Sequence, residues 1–86
     1  MSLILKLRDQ LVTLQIREKT RVIDFVESKY YHDLDKVCIT ALDKLLKRNR
    51  ISVKALKTYK IQGDFGPDST SYKIAKAFIQ GLKVNL

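Results

Sequence analysis

Few residues in this 86-residue chain could carry covalent or metal chemistry. His32 is the only histidine and Cys38 is the only cysteine. A helix would not bring two residues at i and i+6 together, so they do not form a nucleophile and its base. One imidazole and one thiol also fall short of the ligands that a zinc site needs. The sequence therefore predicts no metal site and no cofactor.

The acidic residues give no stronger indication of catalysis. Asp33 is suited to cap a helix, and Asp35 to lie on the surface of that helix. Asp64-Phe65-Gly66 spells the magnesium-binding triplet of protein kinases. The chain has neither the glycine-rich loop nor the His-Arg-Asp catalytic loop that accompanies this triplet in kinases. We therefore predict that the protein is not an enzyme.

Positive charge is concentrated in the second half of the chain. The sequence has 17 basic and 9 acidic residues, for a net charge of +8. Residues 1–43 contain seven residues of each sign, whereas residues 44–86 contain ten basic residues against Asp64 and Asp68. Such segregation creates a directional positive field, which predicts a polyanionic partner.

We expect this partner to be a nucleic acid, DNA or RNA, that a regulatory protein binds through phosphate contacts. The expected surface is a basic helical face over residues 44–60 and 73–76. Its cations are Lys44, Lys47, Arg48, Arg50, Lys54, Lys57, Lys60, Lys73 and Lys76. The candidates for base stacking are Tyr30, Tyr31, Tyr59, Phe65 and Tyr72. The spacing of Tyr59 and Tyr72 fits core packing better. An adaptor that binds an acidic protein is the alternative, and the residues do not decide between the two partners.

A helix–turn–helix is one arrangement of this surface. It would use a helix over residues 52–60 and a second helix over residues 69–82 as the reader of the major groove. The loop between them, about nine residues long, exceeds the three or four residues of that motif. A looser three-helix variant therefore stays open.

The distribution of turn residues indicates helices with short connections. No glycine or proline occurs before Gly63, which Gly66 and Pro67 soon follow. Apolar residues from Leu34 to Leu46 recur at i, i+3, i+4 and i+7, which predicts a helix that begins at Asp33. We expect further helices to begin at Thr20, Ser52, and Ser69 or Thr70. The prediction is one all-α domain over residues 1–86, a compact bundle of about five helices.

The N-terminal residues fit two structures. One is an amphipathic helix, whose apolar stripe would pack internally, bind a partner protein or form a homo-oligomer. This stripe consists of Ile4, Leu7, Leu11 and Leu14. The alternative is an α+β fold with a β-hairpin over residues 3–17, because apolar residues also alternate along this segment. We favour the helix, since Arg8-Asp9-Gln10 lacks the residues typical of a tight hairpin turn.

An intracellular, soluble protein of the cytoplasm or nucleus is also expected. Cys38 is a lone cysteine, whereas a small secreted domain would usually contain several disulfides. No apolar run approaches the ~18 residues of a membrane-spanning helix. The N-terminal residues also lack the basic segment and cleavage site of a secretory signal.

Overall fold

The computed structural model describes residues 1–63 and 69–84, and these residues form an α+β fold. The strands are β1 (Ser2–Arg8), β2 (Leu11–Glu18), β3 (Arg21–Lys29) and β4 (Thr58–Gly63). The helices are α1 (Leu34–Asn49) and α2 (Thr70–Val84), and a short 3-10 turn (Val53–Ala55) precedes β4. The sheet has the order β3-β2-β1-β4, in which β1 is antiparallel to β2 and parallel to β4. Strands β2 and β3 are also antiparallel.

One face of the sheet and the two helices enclose a single apolar core. The register pairs Leu3 with Ile16, Leu5 with Leu14 and Leu7 with Val12, and none of these six side chains is more than 2% exposed. Buried residues of both helices belong to the same cluster, among them Leu34, Cys38, Leu45, Ala75 and Ile79. Alternate residues of a strand point to opposite faces, so the leucines at positions 3, 5 and 7 all reach the helices.

The predicted all-α bundle is wrong, and the first segment is the hairpin of the alternative. Strands β1 and β2 turn at Asp9 and Gln10, and Asp9 has a φ of 55°. Aspartate adopts this left-handed conformation more readily than most residues, because its short polar side chain bonds nearby backbone groups. Lys19 has a φ of 59° at the second hairpin turn, where no residue type in the sequence indicated a turn.

The stripe proposed for an N-terminal helix does not exist as a surface. Leu7 and Leu14 lie in the core under the helices. Ile4 pairs with Gln15 and Leu11 with Arg8, so both lie on the opposite face of the sheet. The four residues share a heptad-like spacing in the sequence but lie on two different faces of a hairpin. They therefore do not form the predicted helical interface.

Of the other four predicted helices, two are wrong and two are confirmed. The segment after Thr20 forms β3, and the helix expected from Ser52 is a 3-10 turn followed by β4, so the helix–turn–helix sketch is wrong. Ser52 does cap the 3-10 turn, since its Oγ accepts the N–H of Lys54 at 3.2 Å.

The helices predicted to begin at Asp33 and at Ser69 or Thr70 are confirmed as α1 and α2. The Asp33 carboxylate accepts the N–H of Tyr31 instead of capping α1. The Ser69 Oγ accepts the N–H of Tyr72 in the first turn of α2. The predicted Gly-Pro loop lies largely outside the described residues. Neither helix in the described part of the chain has the length and apolarity to span a lipid bilayer.

Gly63 ends β4 where only glycine fits. Its φ is 140°, and a Cβ at this position would overlap the carbonyl oxygen of Leu7 on β1. Gly81 lies inside α2, and nothing lies within 4 Å of where its Cβ would be.

We predict opposite effects of alanine at the two glycines. Gly63→Ala should lower the free energy of unfolding by about 2 kcal/mol or more, because it combines backbone strain with a steric overlap. Gly81→Ala should raise it by up to about 1 kcal/mol, since alanine favours the helix and meets no neighbour. Urea denaturation of both variants tests this. Equal effects of the two substitutions would contradict the close approach of β4 to β1.

Candidate functional site

A groove runs between β4 and α2, and we call it the β4–α2 groove. It encloses about 310 Å³ and is lined by Tyr59, Lys60, Ile61, Tyr72, Lys76, Ile79, Gln80 and Lys83. Three of these residues are lysines, and no acidic residue lines the groove in the part of the chain that the structure describes. The sequence explains this, because residues 44–63 and 69–84 contain no aspartate or glutamate.

The groove combines an apolar floor with cationic side chains. Ile79 is only 5% exposed, and Ile61 packs partly buried against the core. Lys76 and Lys83 stand two turns apart on α2, so they project to the same side of the helix. The Lys83 Nζ lies 5.8 Å from the centre of the Tyr59 ring, within the range of a cation–π interaction.

Tyr59 is fixed between the core and the groove. Its hydroxyl donates to the carbonyl oxygen of Leu56 at 3.2 Å. Burial raises the pKa of the Tyr59 phenol, so this hydroxyl remains a neutral donor at physiological pH. Because Lys83 lies over the ring, that face of Tyr59 is already occupied.

β4 is an end strand, and one of its edges has no strand beside it among the described residues. The N–H of Lys57, just before β4, donates to the carbonyl of Met1 at 2.8 Å, so the backbone of Lys57 faces β1. Successive residues of an extended chain direct their backbone groups to opposite edges. The backbone groups of Thr58, Lys60 and Gln62 therefore face away from β1, toward the groove side of the sheet.

The structure disperses the cations of the predicted basic helical face. Residues 44–60 are not one helix, because they span the end of α1, the 3-10 turn and the first half of β4. Lys44 lies on α1 beside β3, whereas Lys47, Arg48 and Arg50 lie at the end of that helix. Lys54 lies in the 3-10 turn and Lys57 before β4, and Lys73 lies on the exposed side of α2.

Only Lys60 and Lys76 of that predicted set line the β4–α2 groove, together with Lys83, and the Lys60 side chain points to the opposite face of the sheet. Lys83, which lies seven residues after Lys76 on the same side of α2, was not among the predicted site residues. Two other predicted cations already have acidic partners. Lys47 pairs with Asp43 at 3.0 Å, and Arg48 pairs with Asp24 at 2.7 Å.

A second basic surface, the open sheet face, was not predicted. It consists of the strand residues that point away from the helices. The described cations on it are Lys6, Arg8, Arg17, Lys29 and Lys60, and its acidic strand residue is Glu27. Phe25 is 55% exposed on this face and lines a trough that the acidic Asp9 also borders. The alternation of Ser2, Ile4, Lys6 and Arg8 was the signal in the sequence that could have revealed this face.

The residues considered for catalysis lie apart. His32 is exposed, whereas Cys38 is fully buried in the core. Burial, together with the nearby charge of Asp35, raises the pKa of the Cys38 thiol to about 12, so it remains a thiol. Within the described residues, no three His, Cys, Asp or Glu side chains form a group that could hold a metal ion.

The architecture is a four-stranded mixed sheet with two helices on one face, and solved structures share it. One is YeaZ from Pseudomonas aeruginosa, with a TM-score of 0.71 and 19% sequence identity. Another is an uncharacterized protein with similarity to peptidase YEAZ from Pseudomonas aeruginosa, with the same TM-score and identity. The matches cover 99% of this chain but only 40% and 39% of those proteins.

The similarity to these proteins establishes the fold alone. This chain spans about two fifths of the length of the two proteins. No family model matches the sequence, and no curated protein matches it.

Asp24 is held by the most extensive set of polar contacts among the described side chains. It accepts hydrogen bonds from Arg48 at 2.7 and 2.8 Å and from the Asn49 amide at 2.8 Å. These contacts, the Arg48 bond first, lower the pKa of Asp24 to about 2 from 3.8, against the opposing effect of burial. The cluster ties the end of α1 to β3.

We predict that Asp24→Ala makes the protein less stable near neutral pH but not at about pH 2. The folded pKa lies below the ordinary value, so the contribution of Asp24 is present above about pH 4 and lost as the pH falls toward 2. Because the pair is partly solvated, we expect about 1 kcal/mol near neutral pH. Asp43→Ala, which breaks the more exposed pair with Lys47, should cost less than about 0.5 kcal/mol. Urea denaturation at both pH values measures this, and an Asp24 effect independent of pH would contradict it.

Proposed function

We propose that the protein is a non-enzymatic interaction module that binds an acidic protein partner through the β4–α2 groove. The observation that carries the proposal is the composition of the groove, which joins Lys76 and Lys83 of α2 to an apolar floor without an acidic residue among the described residues. The apolar floor offers contacts that a phosphate backbone does not need, whereas an acidic polypeptide with apolar side chains would use both. We also propose an intracellular location, in the cytoplasm or nucleus.

Nucleic-acid binding remains a second candidate, and the open sheet face favours it. A sheet that presents an aromatic ring among cations can stack a base and contact phosphates, as single-strand binders do. Phe25 would stack the base, while Lys6 and Arg8 would contact the phosphates. Asp9 and Glu27 border the same trough, and their negative charges would repel a phosphate there. For this reason we rank nucleic-acid binding second.

Charge reversal in the groove should separate the two functions. We predict that Lys76→Glu with Lys83→Glu weakens binding of a short peptide with the repeat Glu-Glu-Val, by about threefold to tenfold at about 50 mM salt. The double variant Lys36→Glu with Lys44→Glu makes the same change in net charge on exposed positions of α1 and should bind nearly as the parent. Fluorescence anisotropy with a labelled peptide measures both.

A single-stranded oligonucleotide and a duplex serve as competing probes in the same titrations. Saturable oligonucleotide binding that weakens steeply from about 50 to about 200 mM salt, and that is lost in Phe25→Ala with Lys6→Glu, would support the second function. No saturable binding of the acidic peptide at low salt, or equal loss in the two charge-reversal variants, would overturn the first.

A further inference from the structure

We propose that the acidic partner binds as an extended strand that continues the sheet by pairing with the edge of β4 beside which no described strand lies. This inference rests on the proposed function and specifies the form of its ligand. An exposed sheet edge presents unpaired N–H and C=O groups, which an added strand can satisfy while pockets beside the edge select its side chains. The groove lies beside such an edge.

The backbone of β4 offers a regular row of partners for an added strand. The groups of Thr58, Lys60 and Gln62 face away from β1, and no described strand pairs with them. Six residues of strand span about 20 Å, enough for several main-chain hydrogen bonds. Main-chain bonds would supply affinity that does not depend on the partner's sequence.

The distance between Lys76 and Lys83 on α2 is close to the distance between side chains on one face of a strand. Lys76 and Lys83 are separated by about 10 Å along the helix, at 1.5 Å per residue. Side chains at i and i+2 of a strand share one face and lie about 7 Å apart. Two glutamates at this spacing would each reach one flexible lysine, and an apolar residue near them would contact Ile61 and Ile79.

Alternate residues of the added strand would lie on the other face of the sheet. There the β4 neighbours are Thr58, Lys60 and Gln62, which point away from the helices. Lys60 can therefore contact an acidic residue on that face. We infer that the ligand has glutamate or aspartate on both faces and apolar residues toward the groove.

Charge argues against a second copy of this chain as the occupant. The chain carries +8, and residues 44–63 and 69–84 contain only basic charges, so two such edges would repel each other. The opposite edge of the sheet is different, because β3 carries charges of both signs and pairs with β2 through a bulge. An acidic strand is thus selected at β4 and not at β3.

The decisive test compares peptides that differ only in their backbone. The glutamate–valine peptide should bind at least about tenfold more tightly than the same peptide with alternate N-methylated residues, because methylation removes the donors that would pair with β4. Hydrogen exchange at the Lys60 and Gln62 amides of the bound protein should slow relative to the free protein. Exchange at Ile23 on the β3 edge should not change.

A variant of the protein tests the same edge without altering charge. Gln62→Pro removes an outward N–H from an edge strand, where proline can be accommodated, and should weaken peptide binding by about fivefold or more. Gln62→Ala should bind nearly as the parent. If Gln62→Pro does not fold, the peptide comparison and hydrogen exchange decide the result.

The outcomes separate this inference from the proposed function. Equal binding of the methylated and unmethylated peptides, both dependent on Lys76 and Lys83, would leave the acidic-partner function standing and overturn strand addition. Binding of neither peptide would overturn both. Self-association seen by sedimentation, or displacement of the peptide by the oligonucleotide, would assign the groove to a second copy or to a nucleic acid and would also overturn the inference.

Discussion

The structure depends on β1 being paired on both of its edges. Its neighbours are β2, with which it forms the first hairpin, and β4, which returns from the far end of the chain. With both edges satisfied, β1 can place Leu3, Leu5 and Leu7 under the helices with at most 2% exposure. Strand β4 joins the sheet beyond β1 and is an end strand among the described residues, and α2 packs next to it. The β4–α2 groove is thus a consequence of the pairing of β1.

The sequence predicted α1 and α2, but it offered the β1–β2 hairpin only as an alternative and assigned β3 and β4 to helices, for identifiable reasons. Helix α1 follows an uninterrupted 3.6-residue period, and the residues after Asp33 support no competing pattern. In the hairpin, the apolar residues fit both a helical period and the two-residue period of a strand. This is because β1 lies between two strands, so that Ile4 is also buried, with 6% exposure, on the open sheet face. The turns at Asp9 and Lys19 use positive φ without glycine or asparagine, so the strongest short-range signal of a hairpin was missing.

The candidate site could be predicted only in part, since charge was counted along the chain and not by strand face. Lys60 and Lys76 were predicted to share a surface, and both line the β4–α2 groove, but the Lys60 side chain points to the opposite face of the sheet. The groove is formed by β4 and α2, and the sequence analysis had assigned the residues of β4 to a helix. A count by halves could not reveal the open sheet face. The cations of β1 and β2 are balanced in residues 1–43 by acidic residues such as Asp24, which points to the other face of the sheet.

The lysines beside β4 can both discourage pairing with an identical edge and attract an acidic strand. Lysine at an edge strand discourages pairing with identical edges, because like charges meet. In the proposed complex the same charge would attract an acidic strand, so one feature would both discourage self-association and select the partner. Exposed ion pairs contribute only about 0.2–1 kcal/mol each, too little to hold a partner by themselves. In the proposed complex, affinity would therefore come from the backbone edge and from contacts with Ile61 and Ile79, while Lys60, Lys76 and Lys83 would determine which strands bind.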